Sequence, residues 1–225
     1  MDLKRLYNQY GNIIRPVLKI KNRVFGLRIH KHGNNNVIKG IEKCRMKKSS
    51  ISINGDNNSV IFNDMSSVFN VHISIEGSNN TVYLGERNYL EGCSFCIEDD
   101  NNKITTGTHV YIYPNTELSA IESTEIIIGD DCLFSANIMI RTGDSHAIKS
   151  ETTGERLNDS ESIHFADKVW LGNGCKILKG SNIGRECVVG TGALVTQNTP
   201  CVLNSVLAGV PAKVVSQGIV WSQQR

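Results

Sequence analysis

A six-residue spacing of apolar and small side chains dominates residues 165–200. Each block opens with a large apolar residue, and its fifth position is small or β-branched. The openers are Phe165, Leu171, Ile177, Ile183, Val189 and Val195, and the fifth positions are Val169, Cys175, Ser181, Cys187, Ala193 and Thr199. A period of six fits neither an α-helix nor a flat strand that alternates every two residues. It predicts a solenoid in which three short strands form each triangular turn, with the first side chain inside and the fifth at a corner.

A second repeat, twenty-two residues long, precedes the first. Asparagine pairs recur at residues 35–36, 57–58, 79–80 and 101–102, two residues after Gly33, Gly55, Gly77 and Asp99 respectively. Glycine and asparagine tolerate the positive φ angles that tight turns require, so each repeat indicates strand, turn and strand. Stacked turns should align the asparagines into ladders whose side chains bond from coil to coil.

Residues 141–162 interrupt the six-residue spacing and follow neither period. A long polar insertion in a regular solenoid is a place where function concentrates, and we expect this segment, called the arm, to project from the prism. The expected organisation is a basic N-terminal segment at 1–30, coils of about twenty-two residues at 31–127, hexapeptide coils at 128–215 and a C-terminal tail at 216–225.

Composition favours one elongated intracellular protein. The chain has 225 residues, of which 40% are hydrophobic, and no apolar run approaches twenty residues. We expect no integral membrane segment and no signal peptide, and therefore a cytoplasmic location. Seven cysteines are an odd number, and three of them, Cys132, Cys175 and Cys187, fall on small inward positions. Together these features favour a reducing compartment and apolar packing of the thiols.

Charge is distributed unevenly, although the net charge is only +2. Residues 1–48 contain thirteen Lys or Arg and two acids, an excess of 13 − 2 = +11. This segment is either a solvated, partly disordered arm or a contact for an anionic partner such as an acidic glycan, a membrane surface or nucleic acid. Nucleic acid fits worst because aromatic residues do not alternate with the basic ones, so we expect no nucleic-acid partner.

Four segments resemble the hexapeptide-repeat acyltransferases, and in particular the bacterial O-acetyltransferases that modify capsule, lipopolysaccharide or sialic-acid sugars. They are residues 142–146 (TGDSH), 153–158 (TGERLN), 169–180 (VWLGNGCKILKG) and 208–213 (AGVPAK). The resemblance covers about residues 126–215. It implies an all-β fold, a left-handed parallel β-helix with an extruded catalytic loop and a short C-terminal tail.

The resemblance also implies an activity: transfer of an acetyl group from acetyl-CoA to a sugar or polysaccharide hydroxyl, in homotrimers whose active sites lie between subunits. His146 matches the catalytic base, which would deprotonate the acceptor hydroxyl for direct attack on the thioester. Trp170 matches a residue that lines the acceptor and thioester pocket. Asp144, Glu155 or a backbone carbonyl would orient the imidazole.

The cosubstrate positions implied by the resemblance are Gly172, Asn173, Gly190, Thr191, Thr196 and Lys213. Backbone N–H groups of Gly172 and Asn173 are candidates for stabilising the oxyanion. Lys213 fits a phosphate of CoA as a point charge. The chain departs from the family pattern at Gln197, where a basic residue is common.

Three alternatives remain. A zinc-dependent carbonic anhydrase of the same fold needs three convergent histidines, whereas the arm has one and the next, His164, follows eighteen residues later; we expect no metal. A non-catalytic glycan-binding solenoid would use the asparagine ladders without CoA. An acetyltransferase for a small acceptor, such as a free sugar, serine or an antibiotic, would use the same fold.

Overall fold

The computed structural model describes residues 3–224, with the side chains of residues 3–9 and 12 left out. Met1, Asp2 and Arg225, which belong to the predicted segments 1–30 and 216–225, lie outside the described residues. One α-helix, α1, spans Leu3–Val24, and a 3-10 turn spans Ile41–Lys43. The basic N-terminal segment is thus largely helical in its described part, which the sequence analysis did not predict.

The rest of the described chain is built from short strands. In chain order they are β1 (Arg28–His32), β2 (Val37–Lys39), β3 (Arg45–Lys47), β4 (Ser50–Asn54), β5 (Ser59–Phe62), β6 (Ser67–Phe69), β7 (His72–Glu76), β8 (Thr81–Leu84), β9 (Tyr89–Glu91), β10 (Cys93–Glu98), β11 (Lys103–Thr106), β12 (Tyr111–Ile112), β13 (Thr116–Ala120), β14 (Glu125–Ile128), β15 (Leu133–Phe134), β16 (Met139–Arg141), β17 (Ile163–Phe165), β18 (Trp170–Leu171), β19 (Lys176–Leu178), β20 (Asn182–Ile183), β21 (Val188–Val189), β22 (Leu194–Val195), β23 (Ser205–Gly209) and β24 (Ala212–Gln217).

These strands form the three walls of one solenoid. The first sheet runs β1-β4-β7-β10-β13-β16-β19-β22, and the second runs β2-β5-β8-β11-β14-β17-β20. The third runs β3-β6-β9-β12-β15-β18-β21-β23 and ends with β24, which pairs antiparallel to β23. All other pairings between named strands are parallel, as expected when each strand stacks on its counterpart one coil earlier.

Strand registers confirm both predicted periods. Ile53 pairs with Ile75, an interval of 75 − 53 = 22 residues. Ile177 pairs with Val195, an interval of 195 − 177 = 18 residues, which is one coil of three six-residue blocks. The predicted openers and fifth positions of the hexapeptide blocks are all buried. Large β-branched and aliphatic residues therefore fill the axis coil after coil, and small residues allow the backbone to turn at the corners.

The predicted asparagine ladder is confirmed along the edge where the chain passes from the first sheet to the second, here called the ladder edge. The first asparagine of each pair has a positive φ, for example 58° at Asn57. The second is the one that bonds from coil to coil. Backbone N–H groups of Asn58, Asn80, Asn102 and Thr124 donate in turn to Oδ1 of Asn36, Asn58, Asn80 and Asn102, at 2.7–2.9 Å. The side-chain amides of Asn36, Asn58 and Asn80 donate to carbonyls of the next coil.

The cysteines pack as predicted. Cys132, Cys175 and Cys187 are fully buried and free of disulfides. Burial raises the pKa of the Cys132 thiol to about 12, so it stays protonated and apolar.

The predicted C-terminal tail is partly ordered. Strand β24 extends to Gln217, and the chain then returns to the third sheet, where the Ile219 N–H donates to the Asn204 carbonyl at 2.9 Å. Trp221 Nε1 donates to the Lys168 carbonyl at 2.7 Å. The tail thereby covers part of the third sheet beside Trp170.

Candidate active site

The arm leaves the solenoid between β16 and β17, at the ladder edge. Its root is buried at Thr142, whose Oγ1 accepts hydrogen bonds from the Ile121 N–H at 3.1 Å and the Thr124 hydroxyl at 2.6 Å. At the other end of the arm, Ser162 Oγ accepts from the Glu125 N–H at 3.0 Å. Both ends of the arm are therefore bonded to the preceding coil, which continues the asparagine ladder.

Asn158 organises the segment that carries His146. Its amide nitrogen donates to Asp144 Oδ2 at 2.9 Å and to the His146 carbonyl at 2.8 Å, and its Oδ1 accepts from the Ile148 N–H at 2.6 Å. From the next coil, Lys179 Nζ donates to Asp144 Oδ2 at 2.6 Å and to the Asn158 carbonyl at 3.0 Å. One amide and one ammonium thus fix the turn to the body of the prism.

Two carboxylates in this network are held ionised. The Lys179 ammonium, aided by the Asn158 amide, lowers the pKa of Asp144 below its ordinary value. Glu122 receives two hydrogen bonds from the Arg156 guanidinium, at 2.7 and 2.9 Å, and one from the Ser160 hydroxyl at 2.6 Å. Arg156 and then Ser160 lower the pKa of Glu122. Because such paired, charge-assisted bonds fix geometry, the arm is braced against the coil beneath it.

The His146 side chain is exposed, and its imidazole makes no hydrogen bond to any residue within 3–224. Neither acid proposed to orient the ring does so. The Asp144 carboxylate is engaged by Lys179 and Asn158, and Glu155 Oε2 accepts from the Thr153 hydroxyl at 3.2 Å. The backbone of His146 is positioned instead, through its own carbonyl. The ring itself is left free to contact another molecule.

Trp170 lies on the third sheet with 36% of its surface exposed. Its Nε1 donates to Ser135 Oγ at 3.4 Å, and its ring lies 5.8 Å from that of Trp221, tilted by 43°. The same outward column of this sheet carries Tyr89 and Tyr111, with ring centroids 6.2 Å apart. The structure therefore places Trp170 at one end of an aromatic strip on a single wall of the prism, with Leu133 between Tyr111 and Trp170.

Four of the predicted cosubstrate residues lie together on the edge between the third and first sheets, here called the glycine edge. They are Gly172, Asn173, Gly190 and Thr191. A Cβ on Gly172 would sit 2.7 Å from the Thr191 nitrogen, so adjacent coils need glycine there to approach. Asn173 and Thr191 are exposed.

One candidate oxyanion donor is wrong. The Gly172 N–H donates to the Val189 carbonyl at 2.7 Å, and the equivalent Gly190 N–H donates to the Leu207 carbonyl at 2.8 Å. Both donors belong to the coil-to-coil ladder, which sequence alone could not show. The Asn173 N–H has no acceptor among the described residues and stays available.

Thr196 and Lys213 lie elsewhere. Thr196 follows β22 on the side of the ladder edge, and its N–H donates to Thr199 Oγ1 at 3.0 Å. Lys213 is exposed in β24, opposite Ala208, at the C-terminal end of the third sheet. Within one chain, the arm and Thr196 share one edge, the glycine edge forms another, and Trp170 faces outward from the third sheet. A single subunit does not bring His146 and Trp170 together.

The described residues also include no cluster of three or more His, Cys, Asp or Glu side chains suited to hold a metal ion. Across residues 3–224, helices of the length and hydrophobicity needed to span a bilayer are absent.

Comparison with solved structures shows strong similarity over most of the chain. The polysialic-acid-specific acetyltransferase NeuO superposes with a TM-score of 0.81 at 25% identity, covering 88% of this chain and 83% of that one. The polysialic acid O-acetyltransferase OatWY superposes with a TM-score of 0.75 at 25% identity, covering 88% and 92%. This chain is similar in fold and in sequence to these polysialic acid O-acetyltransferases. This similarity confirms the predicted left-handed parallel β-helix.

Curated relatives agree. The chain is 32% identical over 103 residues to the galactoside O-acetyltransferase of Lactococcus lactis, covering 46% of this chain and 48% of the relative. It is 31% identical over 110 residues to the polysialic acid O-acetyltransferase of Neisseria meningitidis, covering 49% and 51%. The chain thus spans about half the length of these relatives. No protein-family model matches it.

Sequence reasoning missed three residues of this region: Asn158, Lys179 and Trp221. Asn158 lay within a segment that carried the resemblance, but its bonds to Asp144 and His146 span 14 and 12 residues with no periodic signal. Lys179 reaches the arm from 35 residues away. Trp221 was placed in a tail, although a second tryptophan in a chain with only two was a usable signal.

Proposed function

We propose that this chain transfers an acetyl group from acetyl-CoA to a sugar hydroxyl, within a bacterial surface polysaccharide such as capsule, polysialic acid or lipopolysaccharide. A cytoplasmic location is part of the proposal, because acetyl-CoA is made and used there. The observation that carries it is the braced arm, which fixes the backbone of His146 while leaving its imidazole exposed and without a hydrogen-bond partner among the described side chains. The similarity to O-acetyltransferases supports the same reading.

His146 acts as the general base in this proposal. A neutral imidazole nitrogen accepts the proton of the sugar hydroxyl while the hydroxyl oxygen forms a bond to the carbonyl carbon of the thioester. The carbon–sulfur bond breaks, and the imidazolium returns the proton to the departing thiolate sulfur. The products are the acetyl ester and free CoA, and the enzyme regains its starting protonation. The available Asn173 N–H is a candidate donor to the oxygen that gains charge in the transition state.

The glycine edge fits an extended cosubstrate such as the pantetheine arm. A Cβ built on Gly192 would meet nothing within 4 Å, so this edge is open, and Asn173 and Thr191 offer exposed polar groups beside it. Thr196 and Lys213 are further candidate contacts, with Lys213 as a cation for a phosphate. Gln197 occupies the position where relatives often carry a basic residue, so we assign it no phosphate contact.

We propose that the active site forms between subunits of a homotrimer. The exposed His146 and the exposed Trp170 belong to different sides of one prism, so neighbouring prisms are needed to place them beside one substrate. In this arrangement the arm of one subunit faces the tryptophan pair or the glycine edge of the next. Size-exclusion chromatography with light scattering measures the expected mass, three times 24.8 kDa.

The aromatic strip supports a polymeric acceptor. Tyr89, Tyr111 and Trp170 lie in one column that Leu133 interrupts, and Trp221 packs beside Trp170; such rings combine apolar contact with polar tips. A sugar chain can lie along the strip while one hydroxyl reaches the imidazole. A free sugar, serine or an antibiotic would occupy only one end of it.

The decisive experiment incubates the purified protein with radiolabelled acetyl-CoA and a panel of polysialic acid, neutral capsule fragments, lipopolysaccharide sugars, galactosides and free serine. Label in a polysaccharide supports the proposal, whereas label only in small acceptors selects the alternative acceptor class. Absence of transfer to every acceptor, together with no CoA-dependent rise in Tm, would indicate the glycan-binding solenoid that the aromatic strip also suits.

A further inference from the structure

Helix α1 lies across the open N-terminal end of the solenoid. Asn22 is buried, and its amide nitrogen donates to the carbonyls of Ile41 and Cys44 at 2.9 and 3.0 Å. Its Oδ1 accepts from the Met46 N–H at 2.9 Å. One face of the helix therefore satisfies backbone groups that the first coil would otherwise expose, as terminal caps of solenoids do.

A second face of α1 is apolar and exposed. Apolar residues recur along it at alternating intervals of three and four, which places them on one side of a helix. They are Tyr10, Ile13, Val17, Ile20 and Val24, with 45, 69, 48, 65 and 74% of their surface exposed. Phe25 and Ile29 extend the exposed patch beyond the helix. A contiguous apolar stripe of this kind marks an interaction surface.

The charged residues of α1 are all of one sign. The sequence of α1 contains Lys4, Arg5, Arg15, Lys19, Lys21 and Arg23, and no acid. Lys21 and Arg23 are exposed near the C-terminal end of the stripe. The whole segment 1–48 has an excess of +11, as counted above.

These two features together select one kind of partner. A second copy of α1 would bring six further cations and no acid against the first. Packing between the apolar stripes of the two helices does not offset that repulsion. A soluble acidic glycan would satisfy the cations but would leave the apolar stripe in water. An anionic lipid surface satisfies both, because acyl chains accept the apolar side chains and phosphates accept the lysines and arginines.

We propose that α1 attaches the protein to an anionic membrane surface, with the stripe lying at the level of the acyl boundary and the basic residues at the headgroups. The helix lies in the plane of the interface, consistent with its being too polar to span the bilayer. The opposite face, with Asn22, keeps the solenoid attached. This inference does not depend on the acetyltransferase activity.

The test uses the full-length protein and sedimentation with vesicles of phosphatidylcholine alone or with added phosphatidylglycerol. We expect binding that requires phosphatidylglycerol and weakens at least tenfold as NaCl rises from about 0.05 M to about 0.5 M. The variant Ile13→Asp/Ile20→Asp should lose binding by more than tenfold, since two apolar anchors become charged. The variant Lys21→Gln/Arg23→Gln should bind roughly 25-fold more weakly, about fivefold for each lost charge.

A matched control is Val215→Asp/Val220→Asp, which places the same two added charges on exposed apolar side chains, one in β24 and one in the tail that follows it. It should bind vesicles like the unmodified protein. Circular dichroism shows whether each variant is folded, and all the changed side chains are exposed.

Three results would overturn the proposal. The first is the absence of binding to phosphatidylglycerol vesicles. The second is retention of a soluble polyanion such as polysialic acid by the unmodified protein with no vesicle binding. The third is a loss of oligomer mass in Ile13→Asp/Ile20→Asp with vesicle binding unchanged, which would assign the stripe to an interface between copies of the chain.

Discussion

The 22-residue coils and the 18-residue coils share the same three walls but differ at the ladder edge. In the longer coils this edge is a turn closed by asparagines, whose Oδ1 atoms accept the same backbone hydrogen bond from one coil to the next. In the shorter coils the turn contracts, the repeated asparagine pairs are absent, and the arm emerges where the two types meet. The register interval there is 37 residues, as between Ile140 and Ile177, which is 37 − 18 = 19 more than a short coil.

This difference indicates that the long coils mainly stabilise the fold and that the short coils, with the arm, carry the chemistry. The asparagine turns satisfy backbone groups and leave few polar side chains free, whereas the short coils carry open glycine turns and accept the arm. Ordered, repeated bonding on one side of the arm gives a fixed base from which an irregular segment can present His146. Four predictions test this division between a stabilising and a catalytic region.

The largest expected effect is on chemistry in the short-coil region. Replacing His146 with Ala should lower kcat by about 10²–10⁴-fold, as for loss of a general base, with little change in Tm because the imidazole is exposed and makes no hydrogen bond to the described side chains. Steady-state acetyl transfer and thermal unfolding measure the two quantities. His164→Ala is the matched control, since His164 bonds to Asn182 and Glu125 outside the arm and should retain activity. Full turnover by the His146 variant would remove the proposed mechanism.

The next effect is on stability in the long-coil region. Asn80→Ala removes the acceptor of the Asn102 N–H, in buried surroundings, and the donor to the Asp99 carbonyl, which is only partly buried. A buried group left without a partner costs about 1–3 kcal/mol, and the partly buried Asp99 carbonyl adds less than that, so the free energy of unfolding should fall by at least about 1–3 kcal/mol. Urea titration measures it, and kcat of the folded fraction should not change. Asn57→Gly, at an exposed residue with positive φ, should cost far less; equal losses would contradict the ladder's role.

A smaller effect concerns the junction of the two regions. Asp144 has a lowered pKa when folded, so its pairing with Lys179 stabilises the fold at neutral pH and this contribution is lost as the pH falls through that lowered pKa, below 3.8. Asp144→Asn should therefore lower stability by up to about 1 kcal/mol at neutral pH, since the pair is partly exposed. The difference in Tm from the unmodified protein should shrink on acidification. Asp159→Asn, at a largely exposed carboxylate of the arm, is the control; a difference that grows in acid would reverse the assignment.

The smallest effect concerns cosubstrate affinity. Lys213→Gln should raise KM for acetyl-CoA by about two- to fivefold, the scale of an exposed charge contact, and added salt should reduce the effect. Initial rates at varied acetyl-CoA measure it. Lys39→Gln, which removes an exposed charge in the long-coil region, should leave KM unchanged. A KM independent of both substitutions would place the phosphates elsewhere.

What could be predicted from sequence follows the same division. Phe165 and its successors, the small fifth positions and the asparagine pairs repeat, and repetition exposes their roles because each coil faces the same surroundings. The arm could be located only as a break in that repetition. Within the arm, Asn158 bonds to the His146 carbonyl and Lys179 bonds to Asp144. These residues do not recur at a shared period, so the sequence pattern does not predict their contacts. Helix α1 was missed because its charge was analysed and its three- and four-residue spacing was not.

The parallel stacking of coils also fixes distances along the axis of the solenoid. Five strand-to-strand steps in the first sheet separate β1, beside α1, from β16, at the base of the arm. At about 4.8 Å per step, the arm stands roughly 24 Å from the helix-covered end. Because each long coil is a complete 22-residue unit, removing one would shorten this distance by one step and leave the ladder in register. The number of coils therefore sets the distance between the arm and the helix-covered end, and this distance changes only in steps of one coil.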